Sequence, residues 1–237
     1  MQPISIFRFS HTEGLGYFAT FLDRKQVPWR VIALDEGVPV PNTLDGIAGI
    51  GMMGGPMSVN EDLPWVAPME ALLRQAVAAD LPVIGHCLGG QLLARALGAP
   101  VTRSPHVEIG WHDVHVDASA LAREWLGDAS SYATFEWHNE TFALPPNATR
   151  VLTNAACPNQ GYALGNSIGL QCHIEMTREL VQTWVNDGVG ELSCGAERSG
   201  RYIQSAAEIT ANLEAGLGRL NQMADRIYTR WVAGFAR

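Results

Sequence analysis

The stretch PVIGHCLGGQLLARALGA, residues 82–99, sets Cys87 between a short apolar run and a helix-like one, with Gly85 and Gly89 two residues away on either side. If Val83–His86 close a buried strand and a helix opens from Gly89, Cys87 stands on the tight turn between them. That is the geometry of a nucleophile elbow, in which the backbone of the reacting residue is strained and glycine neighbours let strand and helix approach closely. A cysteine at a helix N-terminus also feels the positive end of the helix dipole, which favours the reactive thiolate. Most free cysteines are small buried hydrophobes. The Gly-x-Cys-x-Gly spacing behind an apolar strand is what makes Cys87 read as a nucleophile.

A thiolate needs a base, and the base needs a group to orient it. GLQCHIEMT, residues 169–177, offers His173 and Glu175. In extended backbone, residues two apart face the same side, so the Glu175 carboxylate can hold the tautomer and orientation of the His173 ring. Standing alone, such a pair would read as a solvated strand end. A third element, GIGMMGGPMSVNEDLPW at 49–65, carries Gly54, Gly55 and a proline behind a buried run. A glycine pair there can turn a backbone N–H toward a developing oxyanion, although by itself it would be an ordinary turn.

The elements that must position these groups follow from the hydrophobic pattern. Residues 4–9, 29–34, 46–53 and 81–86 read as short buried strands, and helical spacing runs through 15–26, 64–79 and 89–98. Strand and helix in alternation predict right-handed crossovers and a parallel sheet covered by helices. The middle of the chain, 111–117 and 150–177, is richer in short strands and turns, which predicts a mixed or antiparallel portion. Beyond about residue 177 the chain reads as helices separated by the glycine-containing stretch 187–200. With no internal repeat and no low-complexity linker, residues 1–237 are expected to form one domain, the helical segment of about 177–237 packed on it.

Composition narrows the function classes. The 237 residues are 47% hydrophobic and carry a net charge of −8 with no run of Lys or Arg. That leaves no basic surface for nucleic acid or anionic lipid. No segment has the roughly 18 uninterrupted apolar residues of a spanning helix, and the N-terminus has no signal-like pattern. A cytoplasmic location is expected. Cys87, Cys157, Cys172 and Cys194 lie far apart with no CxxC pair, so neither a disulfide framework nor a metal site is expected. Cys172 beside His173 lacks further ligands at suitable spacing.

Taken together these residues resemble the class I glutamine amidotransferases, in particular stand-alone relatives of the amidotransferase domain of GMP synthase. The family's Gly-x-Cys-x-Gly-x-Gln elbow is met by Gly85, Cys87, Gly89 and Gln91, its oxyanion loop by GGPMSV, and its His-x-Glu by His173 and Glu175. Weaker similarity in 108–114, 136–145, 156–165 and 224–235 extends the match over nearly the whole chain. Two positions depart from it: Cys172 stands where an aromatic residue is usual before the histidine, and Ile174 where a proline is usual between His and Glu. Neither alters a reacting group.

The resemblance implies an α/β three-layer sandwich of flavodoxin-like type, with a central, mostly parallel but mixed sheet flanked by helices. It implies a Cys87–His173–Glu175 triad that cleaves the side-chain amide of glutamine, or a γ-glutamyl amide, through a γ-glutamyl thioester. The N–H groups of Gly55 and Leu88 would form the oxyanion hole, while Gln91, Gly54 and, more loosely, His138 would contact the substrate. No cofactor is implied. The chain has neither the Ser-Gly-Gly-x-Asp-Ser loop of the synthase domain nor a Walker-type phosphate loop. It therefore reads as a glutaminase subunit for a separate synthase, as a free-standing γ-glutamyl hydrolase or peptidase, or as a silent scaffold, the last disfavoured by the intact triad. An α/β hydrolase with a cysteine nucleophile would place its acid before the histidine, whereas here the acid follows. Homo-oligomers remain open. The Trp-bearing segments 60–68 and 226–235 could cover a partner, although aromatic residues at helical spacing are more often core.

Overall fold

The computed structural model describes residues 2–188, 201–211 and 213–236. The stretch 189–200, with Cys194 and most of the glycine-containing connection, lies outside the described residues. The chain runs β1 (Ile4–Arg8), α1 (Gly16–Arg24), β2 (Trp29–Ala33), β3 (Ile50–Met52), α2 (Val66–Ala78), β4 (Val83–His86), α3 (Leu88–Ala96) and β5 (Val101–Val116). It continues with α4 (Ala120–Leu126), β6 (Ser131–Phe142), β7 (Thr149–Thr153), β8 (Gly161–Leu164), β9 (Ser167–Leu170), α5 (Arg178–Asp187), α6 (Ala206–Ala211) and α7 (Leu213–Val232).

The nine strands form one mixed sheet in the order β2-β1-β3-β4-β9-β8-β7-β5-β6. The half from β2 to β9 is parallel, and the half from β9 to β6 is antiparallel. The parallel strands are short because both of their faces are covered, so almost every residue must be apolar. Alternation along β1 shows this: Ile4 and Ile6 join the core that holds Phe18, Phe21 and Tyr228 of α1 and α7, while Phe7 joins the core that holds Met69, Leu72 and Leu93 of α2 and α3. These are the two helical layers of the sandwich. The expected strand over 46–53 is trimmed to Ile50–Met52, its start taken up by a turn in which the Ile47 N–H bonds Leu44 O.

The antiparallel half differs most from the sequence reading. Where the pattern suggested a short strand at 111–117, β5 runs 16 residues and pairs with the 12-residue β6, which the pattern did not mark. Their register shifts between Arg103 and Glu108, where Pro105 cannot donate to a ladder. That irregularity hides the strand from an alternation test and leaves residues 104–107 without partners on β6. In α7, Tyr228 and Trp231 are fully buried and pack on Phe18; this Trp-bearing segment is core rather than a covering surface. No described helix is long and apolar enough to cross a membrane.

Candidate active site

The turn from β4 to α3 has the form its glycines predict. Cys87 adopts φ 47°, ψ −105°, a conformation that costs a residue with a side chain roughly 1–3 kcal/mol. A Cβ on Gly85 would stand 2.4 Å from the backbone of Gly89, and one on Gly89 would stand 2.5 Å from Met52 Cβ. Strand and helix touch backbone to backbone, and nothing larger than glycine fits. Eight of the nine α3 residues are buried, Arg95 being the exception; a helix apolar on nearly all sides belongs inside the molecule, and its rigidity fixes the cysteine. Cys87 occupies the N-cap position without capping the helix through its side chain, which leaves the sulfur to the site.

His173 arrives from the other half of the sheet. Its N–H donates to Phe135 O at 2.8 Å, tying it to β6, and its ring lies edge-on to Trp184 of α5 at 4.6 Å between centroids. Nδ1 donates to Glu175 Oε1 at 2.7 Å, and the Cys87 sulfur is close enough to favour the charged form of the ring. The two-residue face alternation holds: Gln171, His173 and Glu175 turn toward the site, while Cys172, Ile174 and Met176 enter the apolar core. At the two positions that depart from the family pattern, the side chains therefore point away from the chemistry and pack tightly.

Burial opposes charge on His173, yet Glu175 and the Cys87 sulfur outweigh it and hold the imidazole well above its ordinary pKa. Burial would likewise push the Glu175 carboxyl up, but His173 and, more weakly, His86 keep it below the carboxylate range. The balance favours an imidazolium backed by a carboxylate. Beneath the site His86 is fully buried and its pKa is lowered by that burial. As a neutral ring it donates from Nδ1 to Met52 O at 3.0 Å and accepts at Nε2 from the Tyr228 hydroxyl at 3.0 Å.

Gly55 and Leu88 lie against each other: a Cβ on Gly55 would stand 2.6 Å from Leu88 Cδ2. The Gly89 N–H is taken by Met53 O at 3.2 Å; among the described residues neither the Leu88 nor the Gly55 N–H has a protein acceptor. Gly54 lies against the His173 ring, with His173 Cε1 2.8 Å from where its Cβ would be.

Gln91 is buried, and its amide donates to Gln171 Oε1 at 3.3 Å and to Glu140 O at 3.2 Å. Gln171 in turn donates to Cys87 Sγ at 3.5 Å. The structure thus inserts Gln171 between Gln91 and the sulfur. Gln171 was missed in the sequence, where the only signal was its place two residues before His173 on the same face. His138 borders the cleft with both ring nitrogens engaged, Nδ1 on Glu140 O at 3.0 Å and Nε2 on Glu108 Oε2 at 3.1 Å.

His138 belongs to a buried polar network that joins β5 to β8. Asn154 and Gln160 donate to Glu108 at 2.6 and 2.8 Å, and Thr134 donates to Glu136 at 2.7 Å. Burial first, and then Glu108, push the Glu136 carboxyl well above its ordinary pKa. Glu108, His138 and Cys157 bring possible ligand atoms within 4.8 Å of one another. Their donors and acceptors are spent on protein partners, and burial pushes the Cys157 thiol up to about 12, so the set reads as a polar brace.

Cys87, Gly55, Gln91, His138 and His173 open together into a cleft of about 680 Å³, a size common among small-molecule sites. Glu13, Arg103, Trp137 and Tyr202 complete much of its wall; the sequence reading singled out none of these four.

Similarity to known proteins accords with this geometry. A family model for class I glutamine amidotransferases matches residues 23–188. The chain belongs to that family. It is 35% identical over 192 residues to the glutamine amidotransferase-like protein YfeJ of Salmonella typhimurium, covering 78% of this chain and 79% of that one. Against the glutamine-hydrolyzing GMP synthase of Aeropyrum pernix it is 29% identical over 78% of its own length but only 34% of the synthase. Among solved structures, a glutamine amidotransferase of Methylobacillus flagellatus superposes with a TM-score of 0.96 at 45% identity, covering 99% of this chain and 95% of that one. An amidotransferase fold with a mixed sheet is what the motifs implied.

Proposed function

We propose that the protein hydrolyses the side-chain amide of glutamine or of a γ-glutamyl compound, with Cys87 as nucleophile, His173 as general base and acid, and Glu175 as the residue that orients His173. One observation carries this reading: a strained elbow cysteine and a buried histidine line the same cleft, and the histidine's Nδ1 lies 2.7 Å from a buried carboxylate.

In the first half-reaction the Cys87 sulfur attacks the amide carbon. Its proton passes to His173 Nε2, and the carbonyl oxygen takes up negative charge facing the N–H groups of Gly55 and Leu88. Each such donor is worth about 3–4 kcal/mol in a transition state. The C–N bond breaks as His173 returns the proton to the departing nitrogen, leaving a γ-glutamyl thioester. Water, losing a proton to His173, attacks the thioester carbon; the C–S bond breaks, and glutamate and the free thiol are released. Glu175 stays ionised and fixes the tautomer that presents Nε2 to the sulfur. No cofactor enters these steps.

The size of the cleft favours a second reading beside glutaminase. About 680 Å³ is much more than glutamine fills, and Trp137, Trp184 and Tyr202 are among the residues that line it. That suits a γ-glutamyl compound with a substituent on the amide nitrogen. A separate synthase that would take up the ammonia is the competing context; it draws support from 30% identity, over 56% of this chain, to one subunit of the glutamine-hydrolyzing GMP synthase of Thermoplasma acidophilum.

The deciding experiment incubates the purified chain, without partner or ATP, with L-glutamine and with a panel of γ-glutamyl peptides, reading glutamate release against Cys87→Ala. Cys87-dependent turnover of peptides over glutamine supports a free-standing hydrolase, and slow turnover of glutamine alone supports a synthase subunit. No release from any substrate refutes the assignment.

A further inference from the structure

Glu13 has no step in the reaction above, yet the fold secures it beside the triad. The β1–α1 loop that carries it is fastened at several points. The Tyr17 N–H donates to Glu175 O at 2.8 Å, and the Glu13 N–H closes a turn on Ser10 O at 3.1 Å. Trp184 Nε1 donates to Thr12 O at 3.1 Å. Gly16, at φ +49°, brings the loop so close that a Cβ there would stand 2.1 Å from Glu175 O.

The carboxylate ends against the catalytic histidine, above the glycine of the oxyanion loop. Glu13 Oε2 and His173 Cε1 each lie 2.8 Å from the point where a Cβ on Gly54 would stand. Glu13 also faces the cleft. Among the described residues its carboxylate accepts no hydrogen bond and forms no salt bridge; the charge it feels is that of His173, whose Nδ1 Glu175 already holds. The other acids of the cleft are differently placed: Glu140 accepts from the Ser58 hydroxyl at 2.7 Å, and Asp187 sits exposed at the rim.

We propose that Glu13 is the anionic anchor for the α-ammonium group of a γ-glutamyl substrate, selecting amides that carry a free amine over those that lack one. The inference rests on the amide-hydrolase reading of the site and names what that site recognises at the far end of its substrate. An unpaired carboxylate on the wall that also bears the nucleophile is complementary to an ammonium a few bonds from the scissile carbonyl.

Desolvation sharpens the selection. Burial pushes the Glu13 carboxyl up to about 7, His173 drawing it down and Glu175 adding to the rise. An arriving ammonium holds it ionised and replaces the lost hydration, whereas a ligand without the amine leaves the acid buried without a partner. Sites built to bind a polar group discriminate strongly against analogues that lack it.

The test compares kcat/KM for L-glutamine and for 4-carbamoylbutanoate, the same amide without the α-amine, in the parent protein, Glu13→Gln and Glu13→Asp. The expected result is a loss of roughly 10- to 100-fold for glutamine in Glu13→Gln, carried mainly by KM, with the des-amino amide changed less than about twofold. Glu13→Asp should recover part of the preference. Equal losses on both substrates would mean that Glu13 acts through His173 or through the fold, and would overturn the assignment.

A binding arm separates this failure from failure of the functional reading. Calorimetry on Cys87→Ala, with and without Glu13→Gln, measures both ligands in the absence of turnover. A preference for glutamine that disappears with Glu13 supports the anchor even if the parent protein turns over neither compound; a preference that persists, or none at the outset, refutes it.

Discussion

The backbone contact at the elbow gives the sharpest prediction, and it concerns a single methyl group. In Gly85→Ala the added Cβ would stand 2.4 Å from Gly89 C and O and 2.6 Å from Gly90 N. All three atoms are backbone and cannot rotate away. Contact between such atoms is comfortable near 3.5 Å, so β4 and α3 must part by about 1 Å. Overpacking of this kind costs about 1–3 kcal/mol, and for a chain of this size each kcal/mol lowers Tm by roughly 2–4 °C. Gly85→Ala should therefore melt about 2–12 °C below the parent. Because Cys87 lies between the two separated segments, kcat should fall by about 100-fold or more, the usual consequence of a 1 Å misplacement of a reacting group. Gly218→Ala is the matched control. Gly218 lies on the exposed side of α7, and a Cβ there meets nothing within 4 Å, so the same methyl should stabilise the helix by about 0.5–1 kcal/mol and leave kcat unchanged. Calorimetric melting and steady-state amide hydrolysis read both variants. If Gly85→Ala melts at or above Gly218→Ala, or keeps the full rate, the close-packed elbow is wrong.

Two further substitutions test the electrostatics. Glu175→Gln keeps a partner for the His173 ring but removes the charge that stabilises the imidazolium, so kcat should fall by roughly 10²–10⁴, while iodoacetamide still labels Cys87, more slowly; an unchanged rate would assign the orienting role to another carboxylate. Glu13→Gln should change stability in a pH-dependent way, because the carboxyl is raised from 4.5 to about 7 on folding. The contribution of the neutral acid is fully present below pH 4.5 and is lost as pH rises through 7, whereas glutamine does not titrate. Relative to the parent, the variant should gain stability between pH 5 and pH 8 by at most about 3 kcal/mol, less where cleft water screens the charge. Denaturant midpoints at the two pH values measure this, and a difference that does not vary with pH would refute the buried, raised carboxyl.

The sequence by itself determined the parts that depend on local chemistry. The strands of the parallel half could be read because a strand covered on both faces has to be an apolar run, and the elbow because no residue but glycine fits beside it. The shared face of His173 and Glu175 followed from the two-residue period of extended backbone. The long antiparallel pair β5 and β6 could not be read in the same way: Pro105 and the register shift break the alternation, and Glu108, Glu136 and His138 put polar residues into a core that hydrogen bonds with one another and from Asn154, Gln160 and Thr134 make tolerable. Glu13 had no local mark, and Gln171 only its place two residues before His173. Gln171 matters because Gln91, 80 residues away in the chain, holds it. Glu13 matters because Trp184 fastens the Thr12 carbonyl across 172 residues and Gly54 leaves room for its carboxylate beside His173. Propensity and periodicity are properties of neighbours in sequence, whereas the desolvation of a carboxylate and the company it keeps are properties of neighbours in space. The candidate nucleophile was therefore written locally, while the environment that would select a substrate exists only once the β1–α1 loop, the Gly54–Gly55 loop and α5 have closed around it.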